Sequence, residues 1–171
     1  LAAGTGNSLF GEGAGADVTT GEHNTAIGYR ALYQGTTETN DNVAVGFNAM
    51  SGAWTTASVI DCVVIGSGAG AGALVGGASG LTAVGKAAGA AVTSGAKNTA
   101  LGFGAGTALT TSDNNVAIGY NALYQGTTES DDNVAIGYNA MSGAIGTEQV
   151  NDCVAIGSGA LAGALDSTDG A

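Results

Sequence analysis

The chain contains no proline, and only three of its 171 residues are basic: Arg30, Lys86 and Lys97. Fourteen acids against these three give a net charge of −11, which argues against a nucleic-acid partner, since phosphate contacts need clustered Lys and Arg. Charged residues make up 10% of the chain, well below the usual quarter. Regular Val and Ile nevertheless separate it from a charged disordered tail. Two cysteines, Cys62 and Cys153, are too few for a disulfide scaffold. No run of 18 apolar residues exists, so no membrane insertion is expected. A basic segment followed by an apolar stretch is also missing, so no signal peptide is expected. Glycine lacks a three-residue period, which excludes collagen.

What is abundant is small. Ala and Gly, 33 and 32 of them, together fill more than a third of the chain. Without Ala, about 42 larger apolar residues remain, enough for a thin core.

Internal repetition is the main signal. Nine segments share one pattern, among them NTAIGYRA at 24–31, NVAVGFNA at 42–49, CVVIGSGA at 62–69 and NVAIGYNA at 133–140. Their anchor glycines are Gly11, Gly28, Gly46, Gly66, Gly85, Gly102, Gly119, Gly137 and Gly157, each followed three residues later by Ala. Successive anchors differ in number by 17, 18, 20, 19 and 17, and then again by 17, 18 and 20. The spacing restarts after 91 residues, and residues 31–53 return as 122–144 with 19 of 23 positions identical. We therefore read a single domain over 1–171, with a five-coil block at about 7–97 and a partial copy at 98–171.

Each segment predicts one short strand. Val43, Val45 and Phe47 alternate with Ala44, Gly46 and Asn48. Glycine recurs too often for helix. One strand per 17–20 residues, with turn-forming connections, predicts an all-β, parallel β-solenoid of nine coils. A second strand is expected at the Thr pairs Thr19-Thr20, Thr36-Thr37, Thr110-Thr111 and Thr127-Thr128. Coils stacked at about 4.8 Å make a rod roughly 43 Å long. The chain starts at Leu1 and neither end carries a polar cap, so we expect the middle of a longer fibre.

The strand faces carry an expectation about assembly. The large face can fill the coil's own interior. The Ala/Gly face then lets another backbone approach, as at an axis where chains meet. On this reading the chain is a homotrimer.

The pattern N-x-A-[IV]-G-x-x-A resembles the repeats in the shafts of trimeric bacteriophage tail fibres. It is similar also to the head repeats of trimeric autotransporter adhesins, whose coils are usually shorter. Tyr-Asn-Ala-Leu, Tyr-Asn-Ala-Met and the Thr-rich connections look closer to the phage type. The resemblance implies a parallel homotrimer on a virion or other extracellular surface. It implies a structural role supporting host-receptor recognition, with a host glycan or receptor bound through a separate tip. It carries no catalytic residues to transfer. An adhesin head is the alternative, and an ice-binding solenoid a lower one, because Leu74-Val75 and Leu165-Asp166 interrupt the Thr pairs.

Chemical motifs are few. Gly66, Gly68 and Ala71 fit a dinucleotide fingerprint, but no acid lies between Asp61 and Asp113 to hold a ribose. Cys62 and Cys153 sit five coils apart, about 24 Å, too far for an intrachain bond. His23 is the only histidine and becomes Asn114 in the second block, so it reads as an exposed turn residue. Glu38, Asp41, Glu129, Asp131 and Asp132 lie in connections, where oxygen-rich loops can bind Ca²⁺; a solvated loop is the better reading. Asn7, Asn24, Asn42, Asn98, Asn115 and Asn133 begin their strands; they can form a ladder along the axis, interrupted at Cys62, Leu81 and Cys153, or serve as residues that tolerate turn conformations. Tyr29, Phe47, Phe103, Tyr120 and Tyr138 follow anchor glycines, and Tyr33 and Tyr124 follow Ala-Leu. Exposed, such rings can stack on sugars, but alternation puts them with Val and Ile, capping the core edge. Trp54 is expected to pack locally. No enzyme activity is expected, and no catalytic, cofactor-binding or metal-binding residue is assigned.

Overall fold

A computed structural model describes residues 4–34, 39–52, 58–74, 78–124, 130–143 and 149–163. The described residues contain no helix. Nine three-residue strands form one parallel sheet: β1 (Ser8–Phe10), β2 (Thr25–Ile27), β4 (Val43–Val45), β6 (Val63–Ile65), β7 (Thr82–Val84), β8 (Thr99–Leu101), β9 (Val116–Ile118), β10 (Val134–Ile136) and β11 (Val154–Ile156). Each pairs only with the strands one coil before and after it, with equivalent residues in register. This is the expected parallel β-solenoid of nine coils.

The second strand lies elsewhere than expected. Thr19, Thr20, Thr110 and Thr111 sit in bends, while Thr36-Thr37 and Thr127-Thr128 fall outside the described residues. The second sheet pairs β3 (Thr39–Asn40) with β5 (Val59–Ile60), aligning Thr39 with Val59. Both begin three residues before the strand-leading Asn42 or Cys62. The Thr pairs keep a constant distance from the preceding glycine, not from that following residue. Coils of unequal length therefore carry them out of step with one another, and a ladder needs equal steps.

The strand faces are also reversed. Ala26, Ala44, Val64, Ala83, Ala100, Ala117 and Ala135 point inward and are fully buried. The β-branched residues on either side point out: Ile27 is 42% exposed, Ile65 39% and Ile156 67%. The Ala face therefore fills the coil and does not meet another chain. With one large side chain already in the lumen of each complete coil, the strand position has room for little more than a methyl group in most coils.

Each complete coil adds one large side chain to that lumen, from a position that depends on its length. In coils 2, 3, 7 and 8 it stands four residues after the anchor glycine, as Leu32, Met50, Leu123 and Met141. In the shortest coils, the first, fifth and sixth, that position is Gly15, Gly89 or Gly106, and Val18, Val92 or Leu109 fills the space three residues on. In coil 4, Gly70 and Leu74 stand in a similar relation. The exchange is steric: a Cβ added at Gly106 would lie 2.8 Å from Leu109 Cδ1. Leu32, Met50, Leu123 and Met141 hold left-handed backbone at φ near 50°. Full burial compensates that strain.

Eight of the nine anchor glycines, Gly11 to Gly137, are crowded as expected, but by the same chain's next coil; a Cβ at Gly157 would meet nothing within 4 Å among the described residues. All nine have φ between 128° and 142°, a region few side chains tolerate. A Cβ at Gly28 would lie 2.6 Å from the Gly46 carbonyl oxygen.

Candidate functional site

The interior carries a polar spine. The Asn24 backbone N–H donates to Asn7 Oδ1 at 2.9 Å, and the Asn42 N–H donates to Asn24 Oδ1 at 3.1 Å. Asn24 Nδ2 donates forward to the Thr39 carbonyl at 2.6 Å, and Asn42 Nδ2 to the Val59 carbonyl at 2.8 Å. The second block repeats this through Asn98, Asn115 and Asn133. Asn24, Asn42, Asn98, Asn115 and Asn133 are fully buried, so these bonds replace the water they lose. The sequence left a ladder and a turn role both open for these Asn residues; the hydrogen bonds decide for the ladder, with its interruption at Cys62 and Cys153 as expected.

It stops at cysteine in a defined way. The Cys62 N–H makes the last link, donating to Asn42 Oδ1 at 3.0 Å, and the Cys153 N–H does the same to Asn133. The Cys62 thiol donates to the Ala78 carbonyl at 3.4 Å, standing in for the Asn amide. Burial pushes this thiol from its ordinary 9.0 up to about 11, against the lowering effect of backbone bonds to Leu81 and Gly80. Such a thiol is unreactive at neutral pH. Cys62 and Cys153 are both free.

A corner precedes each spine residue. His23, Asp41, Asp61, Lys97, Asn114, Asp132 and Asp152 all have φ of 57–59°, with Gly6 and Gly80 completing the column. His, Asp, Asn and Gly suit this conformation, and the sequence signal was the residue before each Asn or Cys. His23 is an exposed turn residue, 3.5 Å from Asp41. Of the predicted connection carboxylates, Asp131 caps backbone, its Oδ1 accepting from the Asp113 N–H, as Asp113 Oδ1 does from the Ala96 N–H, both at 2.7 Å, while Asp41 faces His23. No cluster able to hold a metal occurs among the described residues. Glu38, Glu129 and Trp54 lie outside them. Beyond Ile65 the Gly66–Gly70 segment turns and opens no helix, so it gives a dinucleotide no helix N-terminus.

Two surface features remain. The first is the outward sheet face, two columns of Val, Ile, Leu and Thr running through the nine strands, extended by Phe10 in β1. Contiguous apolar surface of this kind is uncommon on a soluble monomer. The second is the row that follows the anchor glycines. Its rings do not cap the core edge; they stand outside it. Tyr29 stacks on Phe47 with centroids 5.3 Å apart, Phe103 on Tyr120 at 5.2 Å and Tyr120 on Tyr138 at 5.4 Å. The rings share the Val/Ile side, as alternation requires, but that side faces out. Two of the three basic residues join them: Arg30 lies over Tyr29 and Tyr33, and Lys86 Nζ is 5.7 Å from the Phe103 ring. The described Thr pairs, Thr19-Thr20 and Thr110-Thr111, lie in bends and form no strand ladder.

No known protein family, curated protein or solved structure matches the chain.

Proposed function

We propose that this chain is a shaft segment of a trimeric bacteriophage tail fibre, a structural spacer that supports host-receptor recognition by another part of the fibre. The observation that carries the reading is the outward Val/Ile face, continuous along the stack. A lone coil stack leaves it wet. Burying one such side chain fully contributes about 1.5–3 kcal/mol, and nine coils repeat the gain. A parallel copy of the same chain has the same rise per coil, so its own face meets this one at every step.

The reading places the protein on the virion, outside the host cell, as a parallel homotrimer whose Val/Ile faces surround the axis. Block duplication lengthens such a rod without redesign, because coil 6 continues from coil 5 with the same backbone bonds, Thr99 pairing with Thr82. The length of the coils favours the tail-fibre reading over an adhesin head, whose coils are usually shorter.

Sedimentation equilibrium tests it. The expected mass is three times 16.2 kDa, with little dissociation on dilution. Ile118→Asp with Ile136→Asp should release monomers that keep a β-type circular dichroism spectrum. A 16.2 kDa species from the unmodified chain at micromolar concentration would overturn the trimer.

A further inference from the structure

Three outward columns run along the stack: the first residue of each strand, the third, and the residue after the anchor glycine. They differ in how often a polar residue interrupts them. The middle column is apolar in all nine coils, from Phe10 through Ile118 to Ile156. The first column carries hydroxyls at Ser8, Thr25, Thr82 and Thr99 and valine elsewhere. The last is aromatic except at Glu12, Ser67, Lys86 and Ser158.

The interruptions are matched between the flanks. The two charges of the last column, Glu12 and Lys86, stand in coils whose first column holds Ser8 and Thr82. No coil sets a charge in the last column beside valine in the first. Within one chain the middle column separates the two flanks, so nothing inside a single coil requires the match. The rings themselves are held before any partner arrives. Tyr120 stacks between Phe103 and Tyr138 with planes 9° and 11° apart, yet Tyr120 stays 45% exposed and Tyr138 57%. Side chains ordered in advance lose little freedom on docking.

We propose that the aromatic column is the seam between identical chains: the middle column lies on a threefold axis, and the aromatic column of each copy packs on the first column of its neighbour, coil for coil. The proposal rests on the trimer reading and assigns which residues cross between chains. A threefold axis takes one column from each chain. With the aromatic column there, three copies of Glu12 and three of Lys86 would converge, and buried like charges are costly. Only the middle column is free of this. Once it occupies the axis, each aromatic flank faces the opposite flank of the next copy. Closed symmetry sets equivalent residues at one height. Four residues of a coil of 17–20 climb only about 1 Å of the roughly 4.8 Å rise, so partners come from the same coil. Tyr120 then covers the neighbouring copy's Val116, and Tyr138 its Val134. Lys86 fits the same seam: its ammonium lies 5.7 Å from the Phe103 ring of its own column, leaving its stem to meet Thr82.

The test is a charge exchange across the seam, read by sedimentation equilibrium of the full chain. Tyr120→Lys and Val116→Glu should each raise the dissociation constant of the trimer about tenfold or more, each burying an unpaired charge at three seams. The double variant should recover most of that loss, because each lysine then faces a neighbour's glutamate. Tyr120→Lys with Val134→Glu, displaced by one coil, should recover none. A trimer in which the first pair does no better than its single variants would overturn the seam, as would rescue by the displaced pair instead. Either result leaves the trimer itself standing, whereas a 16.2 kDa species from the unmodified chain removes both. Hydroxyl-radical labelling decides the matter if a charged variant fails to fold. Tyr120 and Tyr138 should label several-fold less in the unmodified trimer than in monomers released by Ile118→Asp with Ile136→Asp. Equal labelling in the two states would overturn the proposal.

Discussion

The two faces of a single strand differ more than any two distant regions of the molecule. In β9, Ala117 is fully buried while its neighbours Val116 and Ile118 are only partly covered. Hydrophobicity alone predicts the opposite placement. Cross-section decides: inside each coil, one Ala on the strand faces one Ala at the corner and one large side chain. The lumen is full before a second β-branched residue can enter. The strand therefore buries its smallest apolar residue and displays its larger ones, while the large buried side chains come from the corners.

The exceptions obey the same limit on volume. Coil 1 carries Leu9 at the inner position, and coil 4 carries Val64. Each is matched by a glycine six residues later: a Cβ at Gly15 would lie 2.8 Å from Leu9 side-chain carbons, and one at Gly70 would lie 3.1 Å from Val64 Cγ1.

The strongest way to break this contrast is to widen the backbone contact between coils. Gly119→Val combines positive φ with a clash against the Gly137 carbonyl. It should cost about 4 kcal/mol or more, the sum of overpacking and backbone strain, read as loss of the folded fraction in urea. A wild-type midpoint would show that the coils can separate there. Next comes the lumen. Ala117→Leu should cost about 1–3 kcal/mol, whereas Ile118→Ala, one residue on, should cost under about 1 kcal/mol in an isolated chain. If Ile118→Ala proved the worse of the two in isolated chains, the assignment of inside and outside would fail. In the assembled trimer Ile118→Ala should cost more than in the isolated chain, and that difference measures the burial the partner chains supply.

The smallest effect is a pH dependence. The Cys62 thiol is raised in the folded chain to about 11 from 9.0. Between those values the unfolded chain ionises and the folded one does not. The contribution is thus complete below pH 9 and is lost as pH rises toward 11. Thermal unfolding at pH 8 and pH 10.5 should show a drop that Cys62→Ala reduces. An equal drop in both chains would mean that Cys62 is not the titrating group.

Much of the architecture was legible because it is periodic. Strand position, coil number, the crowded anchor glycines and the asparagine spine follow from residues recurring in fixed register. The exchange of Leu or Met at one position for Gly followed by Val or Leu is equally present in the sequence. A fixed template does not catch it, because it shifts by three or four residues with coil length. The second sheet differs from expectation for a related reason: Thr pairs are conspicuous, but the alignment runs from the spine residue that follows them. The aromatic row was visible as a row, yet its exposure was not, since exposure depended on which face had already turned outward.

The sequence by itself determined that this chain repeats, that each repeat makes one strand and a set of tight corners, and that glycine and asparagine hold the successive coils in step. These are local properties, set by backbone freedom and hydrogen-bonding capacity at single positions. Only the tertiary structure decided which face of the strand is the core. That choice depends on the lumen left when the corners close and one large corner side chain has filled it, a volume that no single repeat encodes and that in most coils leaves the strand room for alanine.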